Sequence, residues 1–204
     1  MAADLEQLLQ DNRVIWRGRG ASQAPKRGRA TGFAALDELL PEGGWPADAM
    51  VELWVPHWGV GELQLLRPAM AAASAAGGWV VWIAPPYVPY ASALQGWGLD
   101  LRRLLVVQPP QREVAWVMEQ ALRQTRCAMV LAWPEGLKPV TVRRLQLAAE
   151  AGRSLGILLD RQPQVSLPVA LRISLAPHEQ GVRVTVLKSR AACRRQSIIL
   201  DVQP

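Results

Sequence analysis

Residues 50–76 read MVELWVPHWGVGELQLLRPAMAAASAA, and this stretch decides the fold. Residues 50–55 form a short apolar run of the length and composition of a buried strand. From Glu62 the sequence turns Ala- and Leu-rich and reads as a helix over 62–76, with Pro68 inside it as a kink and Gly77-Gly78 as its stop. Between strand and helix lies the turn Pro56-His57-Trp58-Gly59-Val60-Gly61. Strand, turn and helix in this order begin a βαβ unit, which calls for a parallel sheet covered by helices.

The alternation continues outward. WVVWIA (79–84) is a strand, PPYVPY (85–90) a loop leading into a short helix that ends at Trp97, and LLVV (104–107) a strand. EVAWVMEQALRQ (113–124) places Val114, Val117, Ala121 and Leu122 at helical spacing. AMVLAW (128–133) is a strand, residues 139–151 a helix opening on Pro139 and stopping at Gly152, and LGILL (155–159) a strand. Upstream, FAALDELL (33–40) puts Phe33, Leu36 and Leu40 on one helical face before Pro41 and Gly43-Gly44 end it. Downstream, VALRISL (169–175), VRVTVLK (182–188) and SIILDV (197–202) follow one another without helices. The expected class is α/β: a mainly parallel sheet flanked by helices, with an antiparallel C-terminal extension at one edge. The expected division is an N-terminal helix (2–12) and basic linker within 1–30, a domain over 31–187, and a basic tail over 188–204.

The composition limits what such a domain can do. The chain has 204 residues, 50% hydrophobic and 20% charged, enough for a real core. Mean hydropathy is +0.06 and no apolar run reaches the length of a membrane span, so no membrane partner is expected. The N-terminal MAADLEQLLQDNRVIW lacks the basic-then-apolar pattern of a signal peptide, and a cytoplasmic location is expected. Cys127 and Cys193 make no disulfide framework, and with His57 and His178 far apart no metal site is expected. Net charge is +6, and basic residues cluster. Residues 13–29 carry Arg13, Arg17, Arg19, Lys26, Arg27 and Arg29 without an acid, and residues 183–195 carry Arg183, Lys188, Arg190, Arg194 and Arg195 without an acid. These segments hold 11 of the 23 basic residues and none of the 17 acidic ones. Such concentration points to an anionic partner, either nucleic acid or an acidic protein surface.

In a sheet of this kind, ligands bind where strands end and helices begin. The first such turn aligns with the phosphate-cradling pattern G-x-x-x-x-G-K-[ST]. Pro56 stands at the first Gly, Gly61 at the second, Glu62 at the Lys and Leu63 at the Ser/Thr, with Gly59 kept as a turn former. Lys would bring positive charge to the phosphates, and the hydroxyl would bind magnesium. Glu62 brings the opposite charge and Leu63 coordinates nothing. The strand over 128–133 ends in Trp133-Pro134 with no carboxylate for a metal, and the second strand is followed by Ala84-Pro85-Pro86-Tyr87 with no general base. No nucleotide, cofactor or catalytic residue is therefore expected. Glu62 reads as a carboxylate at a helix N-terminus, favoured by the helix dipole. Trp58 reads as loop packing, with a partner hot spot or base stacking as the functional alternatives.

Thr31-Gly32, Leu36-Asp37, Gly43-Gly44-Trp45-Pro46 and Val51-Glu52-Leu53 together resemble the opening of RecA-type recombinases. Gly98-Leu99-Asp100, Leu104-Leu105 and Gln108-Pro109 continue that likeness. A closer resemblance is to the SulA-like family associated with translesion synthesis, often called ImuA. It is carried by Ile15-Trp16-Arg17-Gly18, by residues 61–66 (GELQLL), by Ile83-Ala84-Pro85-Pro86 and by Gly98-Leu99-Asp100-Leu101. Leu131-Ala132-Trp133-Pro134 and residues 143–150 (RRLQLAAE) complete it. The resemblance implies a RecA-like core stripped of ATPase residues. It implies work beside an inactive Y-family polymerase-like protein and a damage-inducible polymerase under SOS control, and contact with RecA. SulA itself is similar over Gln64 to Arg161, which implies the alternative of a division inhibitor that blocks FtsZ polymerisation. Direct DNA contact and self-association stay open. The residues expected to meet partner or DNA are Arg17, Arg19, Lys26, Arg27, Arg29, Trp58, Lys188, Arg190, Arg194 and Arg195.

Overall fold

The computed structural model describes residues 28–161, 167–189 and 195–202. The apolar runs become strands β1 (Met50–Trp54), β2 (Trp79–Ile83), β3 (Leu104–Val107), β4 (Cys127–Ala132) and β5 (Leu155–Asp160). They are followed by β6 (Leu171–His178), β7 (Gly181–Ser189) and β8 (Gln196–Leu200). All eight share one sheet in the order β3-β2-β4-β5-β1-β6-β7-β8. Neighbours from β3 to β6 are parallel, while β6–β7 and β7–β8 are antiparallel. The mainly parallel sheet with an antiparallel C-terminal part is thus the one read from the sequence. Lys188 lies inside β7, and Gln196–Leu200 pairs with Val182–Val186, so the described part of 188–204 is the outer hairpin of the sheet.

The helices are α1 (Ala34–Leu39), α2 (Glu62–Ala75), α3 (Ala91–Gly96), α4 (Gln111–Leu122) and α5 (Pro139–Gly152), with a 3₁₀ turn at Leu101–Arg103. One core lies under α1–α3 and holds Leu36, Trp45, Leu65, Met70 and Trp82. The other lies under α4 and α5 and holds Met50, Val81, Met118, Val130 and Leu145. Because β1, β2, β4 and β5 are covered on both faces, their sequences run apolar without alternation. Among the described residues no helix is long and apolar enough to cross a membrane.

Local chemistry explains several sequence features. Asp37 Oδ1 accepts from the Thr31 N–H at 2.8 Å and Thr31 Oγ1 from the Phe33 N–H at 3.1 Å, so the spaced Thr31 and Asp37 lock the start of α1. Gly32 has φ +91 and faces Pro68, whose ring sits inside α2 where a Cβ at Gly32 would have to go. Gly152 differs from its expected role as a stop. It is the last residue of α5, and the left-handed turn that ends the helix falls on Arg153, with φ 55. A Cβ at Gly152 would run into the Leu122 carbonyl of α4, so the glycine serves the close approach of two helices. Those helices are also tied by Glu119, which accepts from Arg123 and from Arg144. The Arg144 hydrogen bond above all holds the Glu119 carboxyl below its ordinary range.

The parallel and antiparallel parts of the sheet are joined by charge. Glu52 of β1 and Arg172 of β6 are register partners, both buried. Arg172 Nε donates to Glu52 Oε2 at 2.6 Å, its Nη2 donates to the Leu167 carbonyl at 3.2 Å, and its guanidinium lies 5.0 Å from the Trp54 ring centroid. Removing one member strands a buried charge, which costs about 3–5 kcal/mol. Arg172→Met is therefore expected to destabilise by about that amount in chemical denaturation, and the double variant Glu52→Leu/Arg172→Met to recover most of it. Equal loss in the single and double variants would contradict this account.

Candidate functional site

The carboxyl end of β1 continues through Val55, whose N–H donates to the Asp160 carbonyl at 3.0 Å. The chain then leaves the sheet through Pro56 and His57, both exposed. Gly59 and Gly61 have φ of 88 and 110, conformations that side chains rarely adopt. A Cβ at Gly61 would lie 2.6 Å from Val182 Cγ2, so the turn is pressed against β7. Gly61 then caps α2, and Glu62 opens it.

Glu62 is buried, and its carboxylate bends back into the turn. Oε1 accepts from the Gly59 N–H at 2.9 Å and Oε2 lies 3.2 Å from the same nitrogen. A helix N-terminus with nearby glycine amides is an anion site. Here the anion belongs to the chain itself. Leu63 packs on the core under α2. The residues present do not fit a magnesium-bound triphosphate: a buried carboxylate stands in place of the lysine and an aliphatic side chain in place of the hydroxyl. Among the described residues no group of three His, Cys, Asp or Glu could hold a metal ion. Cys127 is buried at the start of β4, and burial pushes its thiol up to about 11, away from thiolate chemistry.

The surroundings of the turn are aromatic. Trp58, Trp82, Trp97, Trp133, Tyr87 and Tyr90 line a groove of about 300 Å³. The Trp82 and Trp133 rings are tilted at 5.7 Å between centroids, and Trp82 Nε1 is buried without a hydrogen-bond partner. At the outer lip Tyr87, Val88 and Tyr90 are 71%, 90% and 74% exposed. A second cavity of about 470 Å³ runs from Trp58 past Trp133 to Glu135, Asp160 and Arg161. The backbone between the two is bent at Ala84, with φ 53. This edge can grip apolar and aromatic groups, and it presents no nucleophile with an adjacent base.

Of the sequence-predicted contact residues, four are described, and they lie in different parts of the sheet. Trp58 sits at this carboxyl edge. Arg29 sits at the opposite, amino edge, where Nη1 donates to the Ala128 carbonyl at 2.7 Å and Nη2 to the Arg153 carbonyl at 2.8 Å. Burial lowers its guanidinium from the ordinary value, with Asp48 acting the other way. Lys188 Nζ donates to the Leu167 carbonyl at 3.4 Å, and Arg195 is exposed just before β8. Arg17, Arg19, Lys26, Arg27, Arg190 and Arg194 lie outside the described residues. Sequence reasoning placed Trp82 and Trp133 in the core and did not join them with Trp97, Tyr87 and Tyr90. Nine Trp against one Phe was the signal that could have prompted it.

Residues 38–164, which hold β1 to β5 and the glycine turn, match the family described as the MT3502 N-terminal domain. The chain belongs to this family. It is also homologous to SulA and ImuA, the resemblance read from the sequence. It is 33% identical over 101 residues to "Cell division inhibitor SulA" of Edwardsiella piscicida, covering 49% of this chain and 59% of that protein. It is 31% identical over 146 residues to "Protein ImuA" of Caulobacter vibrioides, covering 65% of this chain and 57% of that protein. Among solved structures, SulA from Pseudomonas aeruginosa gives a TM-score of 0.46 at 26% identity, covering 56% of this chain and 98% of that chain. The matches thus span less than two thirds of either curated relative's length.

The turn of this MT3502-type domain depends on Glu62. Removing the carboxylate deletes a charge-assisted hydrogen bond and a favourable dipole contact, together about 1–3 kcal/mol. Glu62→Ala is expected to lower stability by about that amount, with Glu62→Gln between it and the parent. An unchanged Tm for Glu62→Ala would show that the carboxylate does not hold the turn.

Proposed function

We propose that the chain is a non-catalytic adaptor of the SOS response. It carries a degenerate RecA-like core and links a Y-family polymerase-like protein to RecA or DNA during translesion synthesis in the cytoplasm. One observation carries the non-catalytic part: the phosphate-binding position of the first strand-to-helix turn is taken by the buried Glu62 carboxylate, bonded to Gly59. The parallel order β3-β2-β4-β5-β1, with that turn at its carboxyl edge, supports descent from a nucleotide-binding sheet. Homology to ImuA over 65% of the chain supports the translesion setting. The mechanism is surface presentation. Tyr87, Val88 and Tyr90 at the lip of a Trp-lined groove supply the aromatic anchors that dominate protein interfaces.

A second reading has its own support. The match to SulA is the more identical of the two relatives, at 33%, and supports a division inhibitor acting on FtsZ. Both readings share a non-catalytic role in the response to DNA damage. The basic ends favour the adaptor, since a division inhibitor has no evident use for them.

The test is recovery of the tagged chain from DNA-damaged cells of its own host, with bound proteins identified by mass spectrometry. The adaptor reading predicts polymerase components or RecA. FtsZ alone would overturn it in favour of division inhibition.

A further inference from the structure

A cavity of about 680 Å³ lies at the other edge of the sheet, between the C-terminal end of α2 and the starts of β2, β4 and β5. Its floor is alanine and glycine: Ala72, Ala73, Ala76, Gly77 and Gly78. Its charged lining is Arg29, Arg103, Arg126 and Arg153, and among the described residues no acidic one lines it. These arginines come from four separate segments. Arg126 and Arg153 are exposed and form no ion pair among the described residues. Arg103 lies with its guanidinium carbon 5.7 Å from the Trp79 ring centroid, and Asp100, three residues before it, is engaged by Arg102 at 3.0 Å. Arg29 is held by the Ala128 and Arg153 carbonyls, which fixes one cation in the wall.

Three carbonyls of the helix end facing this cavity are taken up by the chain itself. The N–H groups of Ala76, Gly77 and Gly78 donate to the carbonyls of Ala72, Ser74 and Ala73. The described chain starts at Gly28, one residue from Arg29, and residues 13–27 carry Arg13, Arg17, Arg19, Lys26 and Arg27.

We infer that this amino-edge groove binds the sugar–phosphate backbone of single-stranded nucleic acid, through Arg103, Arg126 and Arg153 around the fixed Arg29. A protein partner would be gripped by buried aromatic anchors, and the groups of that kind lie at the carboxyl edge around Trp58 and Tyr87. The amino edge offers the opposite: small residues that let a backbone approach, and guanidinium forks whose planar donors match phosphate oxygens. The inference deepens the adaptor reading and rests on it for having nucleic acid in reach, but its test does not need the other partners.

The test is fluorescence anisotropy of a labelled oligothymidylate with the full chain over a range of salt. Each single-strand phosphate contact contributes about 0.7 to the log–log salt slope, so Arg103→Gln/Arg126→Gln/Arg153→Gln should flatten it by about two and weaken binding about a hundredfold at about 0.1 M salt. The Tm should stay within a degree or so of the parent's, because these side chains carry little of the core. The triple Lys variant, which keeps the charge, should retain most of the binding. Affinity and slope unchanged in the triple Gln variant would overturn the inference. So would tighter binding of polyglutamate than of oligothymidylate, which would assign the groove to an acidic protein. Absence of Arg-dependent binding alongside recovery of RecA or polymerase from cells would remove this surface and leave the adaptor. Arg-dependent binding alongside FtsZ as sole partner would keep the surface and remove the adaptor.

Discussion

A helix that begins at the carboxyl edge of a parallel sheet presents N–H groups and the positive end of its dipole, and it must meet an anion there. In this chain Glu62, at the first helical position, brings a carboxyl group to that end and accepts from the Gly59 N–H of the preceding turn, while no side chain caps the helix N–H groups. The same turn is pressed against β7 at Gly61, and Glu62 lines the aromatic groove beside it. A lysine at the same position would leave the cradle open to a phosphate. A glutamate closes it.

With the turn satisfied internally, the binding capacity of the molecule moves to its surfaces, and the sheet separates two of unlike chemistry. The carboxyl edge is aromatic, with Trp58, Trp97, Tyr87 and Tyr90 around a groove. The amino edge is cationic, with four arginines around a floor of small residues. The Glu52–Arg172 pair holds the antiparallel hairpin against β1. The proposed adaptor role would need two faces of different chemistry, and the two edges of this sheet differ in that way.

The fold was legible because strands buried on both faces run almost wholly apolar, so β1, β2, β4 and β5 announce themselves as runs between helices, with the paired Glu52 the exception in β1. The altered turn was legible because the phosphate pattern has fixed spacing, and Glu62 stands where its lysine should. Other features depend on distances that sequence does not encode. Glu52 and Arg172 are 120 residues apart and meet only because β6 returns beside β1. Arg103, Arg126 and Arg153 stand far apart in sequence and meet only at the amino edge of the sheet, while the clusters visible in sequence lie toward the chain ends. Gly152 has the right place for a stop signal, yet its use is set by the Leu122 carbonyl of another helix. Trp133 reads as a core residue and also lines both grooves, since one ring can serve packing on one side and a surface on the other.

The central claim is that the anion site of the first turn is filled by the chain's own carboxylate and is closed to nucleotide. Isothermal titration of the full chain with magnesium ATP tests it most directly. The account predicts no saturable heat and no magnesium-dependent binding. Saturable, magnesium-dependent binding would contradict it.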